Sequence, residues 1–347
     1  MDSITQIILG AAAGEVVLGN KIGNRAMLWG ALAGTIPDLD VLGGFFLSSV
    51  DNISFHRGIS HSITFSVFGS LLLGYLVHLL YKYLDQRRKK PRPQASQRQW
   101  QWLFFWGLFT HPILDCFTMY GTELFAPFSE TRIAWATISV ADPFYTIPFL
   151  ICLIIASRFK RDSRKRRFWS YLGIGLSSSY LLFTVLNKQL INAKFERAMQ
   201  AQNIEVDRYI TNPSIFNNVL WSCMLENEDA FYTALYSWFD SKKIEFVRIE
   251  KNHSAITGFN DDPTILELRK FSKDYYSVMP IGNQLQYNDL RFGTFYGKGD
   301  DASDFPFRFV LDYTETDGYI LRGTLGGPEK GQAKEMMVFL WERILGN

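Results

Sequence analysis

Six apolar stretches fill the first half of the chain, at roughly 3–19, 25–42, 60–82, 100–119, 143–158 and 168–187. The third, from Ile63 to Leu80, is long enough to span a bilayer, which takes about 20 apolar residues. The first, second and fifth are shorter. The first two suit a re-entrant or tilted helical pair whose irregular end faces protein or water. Gly10–Gly14 and Gly30–Gly34 form two small-xxx-small patterns, which let helix backbones approach closely, so these two segments are expected to pack together.

After about Ala193 the pattern changes. Short runs rich in aromatic and β-branched residues, bounded by Gly, Asn and Asp, predict strands at 218–222, 230–238, 244–249, 290–296, 305–313 and 319–325. Helices are predicted over 261–273, opening on Asp-Asp-Pro, and over 331–345. The fold class expected is a polytopic α-helical membrane domain over residues 1–190, followed by a soluble α+β domain over 191–347 that carries any protein partner.

Charge adds orientation. The net charge of +2 over 347 residues conceals clustering, since loops 82–99 and 158–167 each carry seven Lys or Arg and one Asp. The turn 20–25 adds Lys21 and Arg25. The positive-inside rule places all three on the cytoplasmic side. A multi-pass protein of a bacterial inner (cytoplasmic) membrane follows, with both termini outside and membrane lipid as its surroundings. The basic runs lack the aromatic interleaving of a nucleic-acid surface, so no nucleic acid is expected. The Met-Asp-Ser start has no basic n-region and does not resemble a cleaved signal peptide. Cys116, Cys152 and Cys223 show no disulfide or thiolate-zinc spacing and read as buried, inert thiols.

Three polar motifs interrupt the apolar sequence: Pro37-Asp38-Leu39-Asp40, His56-Arg57-Gly58-Ile59-Ser60-His61-Ser62 and Thr110-His111-Pro112-Ile113-Leu114-Asp115. Ionisable groups beside membrane segments are costly and mark functional sites by default. His111 and Asp115, at i and i+4, share a helix face. Asp38 and Asp40 place two carboxylates side by side, an arrangement that a cation neutralises. The six-segment orientation brings all three motifs to the outer face. Asp38, Asp40, His56, His61, His111 and Asp115 therefore form the candidate metal set, with Asp40 and His61 assigned to catalysis. Oxygen and imidazole ligands suit zinc, with manganese or a two-metal site as alternatives. Arg57 is the candidate for binding a substrate anion; its plain reading is an interfacial anchor. Ser60 or Ser62 can cap the following helix. Gln6, Glu15 and Asp142 are candidate supporting residues. Glu15 reads equally as a partner of Lys21 or Arg25, and Asp142-Pro143 as the cap and first residue of a helix. His78 reads as packed or interfacial, and His253 has no neighbouring motif.

These motifs, in this order, resemble the YdjM-type membrane-bound, metal-dependent hydrolases, also described as inner-membrane LexA-binding hydrolases. The resemblance covers roughly residues 1–150. It is similar in motif order, more distantly, to zinc-dependent phospholipase C and P1-type nucleases, which implies phosphoester hydrolysis. Some relatives place a His near the N-terminus, where this chain has Gln6. The function expected is metal-dependent hydrolysis of a phosphoester or lipid-like substrate. The rival class is a non-enzymatic membrane regulator or scaffold with a structural metal. An ion or metal transporter is a third class, disfavoured because segments three to six show few polar residues.

Overall fold

The structure, a computed structural model, describes residues 1–87, 93–316, 318–327 and 331–347. The core of the first basic run, Arg88 to Arg92, lies outside the described residues. The chain divides into two units, residues 1–43 with 55–185, and residues 44–54 with 186–347.

In the first unit, α1 (Ser3–Ile22) starts where the Asp2 side chain accepts the Thr5 N–H. It turns at Gly23, whose φ of 64° suits glycine, into α2 (Asn24–Thr35). The two glycine pairs do what their spacing predicts. A Cβ built on Gly30 would meet the Gly10 carbonyl oxygen at 2.2 Å and the Gly14 Cα at 2.8 Å. The backbones are in direct contact, with no room for a side chain. Gly30→Val is expected to destabilise this unit by about 3 kcal/mol, the upper end for overpacking. Thermal unfolding in detergent checks this; an unchanged midpoint would mean that the hairpin does not depend on this contact.

Pro37 opens a 3-10 stretch (Pro37–Phe45) that carries Asp38 and Asp40 off the end of α2. A short helix, α3 (Ser49–Phe55), lies in the second unit up to Ser54. A 3-10 turn over Ile59–His61 then leads into α4 (Ile63–Gln86), where Ser62 is the cap and accepts the Phe65 N–H at 2.9 Å. Helix α5 (Gln97–Asp115) opens on a capping box made by Ser96 and Gln99 and holds Pro112 in its last turn. Asp142 caps α6 (Pro143–Ser157), accepting from the Phe144 and Tyr145 N–H groups. Helix α7 (Arg164–Ala201) then runs for 38 residues, about 57 Å at 1.5 Å per residue. It passes well beyond the expected end near residue 187, because no Gly or Pro interrupts it after Gly175.

Six apolar segments were expected; among the described residues, α1, α4 and α7 are long and apolar enough to cross a membrane. Helix α6 is apolar but has only 15 residues, and α2 has 12. Helix α5 carries polar residues at both ends, Gln97 to Gln101 and His111 to Asp115.

The second unit is built on two antiparallel four-stranded sheets, each a meander. The first comprises β1 (Arg208–Pro213), β2 (Leu220–Glu226), β3 (Ala230–Ser237) and β4 (Val247–Glu250). Helix α8 (Pro263–Ser272) precedes the second: β5 (Tyr276–Ile281), β6 (Gln284–Asp289), β7 (Phe307–Thr314) and β8 (Gly318–Gly326). Helix α9 (Ala333–Ile344) closes the chain. The strand expected at 290–296 is instead a 3-10 turn, Leu290–Phe292, followed by Gly293 at φ 71°. Asp289 draws the chain out of the ladder there by accepting the Arg291 N–H.

Candidate metal centre

The three polar motifs meet within the first unit. Asp38 comes from the 3-10 stretch after α2, His61 from the turn before α4, and His111 and Asp115 from the last turn of α5. One ligand atom from each lies within 4.8 Å of all the others. His61 Nε2 and His111 Nε2 stand 3.1 Å apart. Asp38 Oδ1 is 3.4 Å from the first and 3.3 Å from the second, and Asp115 Oδ2 is 3.4 Å from each.

Hydrogen bonding fixes what these atoms present to one another. His111 Nδ1 lies 2.6 Å from the Gly34 carbonyl oxygen, which can only accept, so Nδ1 donates. His61 Nδ1 lies 3.2 Å from Asp40 Oδ2, which also only accepts, and 3.0 Å from Ser60 Oγ. With both rings neutral, each Nε2 therefore turns a lone pair towards the other. Two carboxylate oxygens complete the set, and Asp115 Oδ2 is buried without a hydrogen bond. In that state the four acceptor atoms form a set able to hold a cation. Five of the six spacings, 3.1–3.4 Å, match those between tetrahedral ligands at 2.0–2.1 Å from zinc, about 3.3–3.4 Å.

Exposure is uneven. The side chains of His61, His111 and Asp115 are 0–1% exposed, whereas that of Asp38 is 19% exposed. Solvent reaches the set from the Asp38 side.

Asp40 and His56 lie outside the four-residue set. Asp40 stands behind His61: besides His61 Nδ1, its carboxylate accepts the Arg57 N–H and Ser60 Oγ, each at 2.9 Å, and meets His56 Nδ1 at 2.9 Å. Arg57 is buried at φ 60°, a conformation costly for a side-chain-bearing residue. Its guanidinium places Nε 3.5 Å from Asp115 Oδ2 and donates from Nη1 to Thr118 Oγ1 at 3.0 Å. Gln6, on α1, donates from Nε2 to Asp115 Oδ1 at 3.0 Å and to the His111 carbonyl oxygen at 3.2 Å. The Met1 amino group lies against the same Asp115 Oδ1. Asp142 pairs with the Tyr180 hydroxyl at 2.8 Å.

Glu15 lies nine residues beyond Gln6 on α1, about 13 Å along the axis. Its partner is neither Lys21 nor Arg25. Arg166 binds both of its carboxylate oxygens at 2.6 Å, and Arg166 also donates to Asn24 Oδ1 and the Phe159 carbonyl. Sequence reading gave Arg166 no role beyond the charge of its run. It also passed over Thr118, Tyr120 and Arg132, which lie in the irregular loop between α5 and α6.

Residues 1–191 match the family model described as YdjM inner membrane protein. The chain belongs to this family. It is also 30% identical over 163 residues to "Uncharacterized protein YfhP" of Bacillus subtilis (strain 168), covering 45% of this chain and 46% of that protein. The match thus spans about half the length of that relative. No solved structure matches the chain. Family and structure together describe a membrane protein with a cluster able to hold a metal ion.

Proposed function

We propose that this protein is a membrane-bound, metal-dependent hydrolase acting on a phosphoester, with a lipid-like substrate met at the outer face. Asp38, His61, His111 and Asp115 would hold the ion, zinc in the first instance and manganese as the alternative. Once bound, such an ion makes a water acidic enough to act as hydroxide near neutral pH. The chain's own residues do the rest. Asp40 holds His61 in one tautomer, as the outer carboxylate partners of metal-bound histidines do. Gly34 does the same for His111 through its carbonyl. Arg57 supplies a positive charge beside Asp115, and Gln6 donates a hydrogen bond to the same carboxylate, so both favour its ionised form.

The observation that carries this reading is the exposure gradient. Three ligands are sealed and the fourth, Asp38, faces solvent, as a site open to substrate requires. A second reading, a structural metal in a non-enzymatic membrane regulator, draws on the count of four protein ligands, which suffices to close a tetrahedral site. Metal analysis of the purified protein, combined with phosphodiesterase and phospholipase assays, separates the two. Hydrolysis lost to a chelator and restored by zinc or manganese is expected. Bound metal without any hydrolysis would leave only the structural role.

The proposal includes the six-segment topology, with both termini outside and the C-terminal unit free to meet a protein partner. A reporter fused after Asn347 should register the extracytoplasmic side; a cytoplasmic signal overturns that arrangement.

A further inference from the structure

His56 is the one motif histidine that the four-residue set leaves out. Its Nδ1 is engaged by Asp40 Oδ1 at 2.9 Å, and the Asp40 side chain is only 1% exposed. The ring is held edge-on against Tyr120, with centroids 5.2 Å apart, and edge-on to His61, with centroids 6.1 Å apart. Its carbonyl accepts from Arg132 Nη1 at 3.0 Å, which fixes the backbone beside it. The ring itself is 24% exposed, and Nε2 has no hydrogen-bond partner among the described residues. A buried carboxylate that fixes one imidazole nitrogen and leaves the other free beside a reaction site is the arrangement of a general acid–base group.

We propose that His56 is the catalytic proton donor to the leaving group, and that Asp40 is its positioning residue. The proposal rests on the hydrolytic reading above. Water oxygen bonds to phosphorus and releases one proton to solvent. The bond from phosphorus to the leaving oxygen breaks, and its electron pair stays on that oxygen. His56 Nε2 gives its proton to the same oxygen, so that an alcohol departs, and the ring regains a proton from solvent. Diester and water become monoester and alcohol, with no oxidant or reductant. Asp40 accepts from Nδ1 throughout, which keeps the reactive edge of the ring on the solvent side.

The test varies the leaving group. His56→Gln and His56→Ala are compared with the wild type on bis(p-nitrophenyl) phosphate, whose leaving group departs without a proton, and on a phosphatidylcholine vesicle, whose alkoxide needs one. Metal content is measured on each protein. Hydrolysis of the alkyl ester is expected to fall about 10²–10⁴-fold, the usual contribution of a general acid. The nitrophenyl ester should lose less than about tenfold on the same grounds. Metal content should equal that of the wild type, which also reports that the variants fold. An equal loss on both esters overturns the proposal, as does metal loss like that of a His61→Ala control, which would make His56 a ligand. A wild type silent on both esters overturns the hydrolytic reading itself and takes the proposal with it.

Discussion

A His61→Ala/His111→Ala variant is expected to lose its bound metal and its metal-dependent stabilisation. These two rings supply both nitrogens of the set, and each is held from behind in one tautomer, His61 by Asp40 and His111 by Gly34. Losing even an outer partner of a metal ligand typically weakens binding about 10–100-fold, so losing two ligands should exceed that range. Stability supplies the second readout. A ligand present at 100 times its dissociation constant stabilises the folded state by about 2.7 kcal/mol. Chelator should therefore lower the wild-type midpoint and added zinc restore it, while the double variant responds to neither. Metal content unchanged in the variant would remove the site assignment altogether.

Arg166→Ala should be the most damaging single change away from the metal centre. Glu15 and Arg166 form a bidentate pair with side chains 4% and 2% exposed, within the membrane unit. Taking away the guanidinium leaves a carboxylate buried without its counter-charge, which costs about 3–5 kcal/mol. The comparison that isolates the cause is Glu15→Leu/Arg166→Met. Removing both charges together is often neutral, so this variant should recover most of the loss. The remaining deficit belongs to Asn24 Oδ1 and the Phe159 carbonyl, which also lose a donor. Unfolding in detergent measures all three proteins. A single variant as stable as the wild type would mean that water reaches Glu15.

Much of the candidate site was legible because its chemistry is out of place in apolar sequence. His111 and Asp115 could be paired from their spacing alone, and Asp38 and His61 joined them through the motif order. The division of labour within each motif was not legible. Asp38 and Asp40 are two apart on a 3-10 stretch, so they point to different partners, one into the set and one behind His61. His56 and His61 differ in the same way. Sequence gives both rings equal standing, and only the turn at Arg57, with its positive φ, separates them. Arg166 was hidden by the six other basic residues of its run. In the C-terminal unit, β6 escaped notice because its buried positions include Gln286 and Asn288, which bond to each other at 2.6 Å. Polar residues that satisfy one another leave no trace in an apolar pattern. The long reach of α7 was missed for the opposite reason: composition changed along it while helix-forming residues continued.

Gly34 stands at the junction of two kinds of structure. A Cβ there would meet the Gln6 carbonyl oxygen at 2.6 Å, so the residue is part of the α1–α2 backbone contact, and its own carbonyl receives the His111 Nδ1 proton. A side chain at position 34 would therefore disturb two things at once: the approach of α1 to α2 and, through the backbone it shifts, the acceptor that orients the His111 ring.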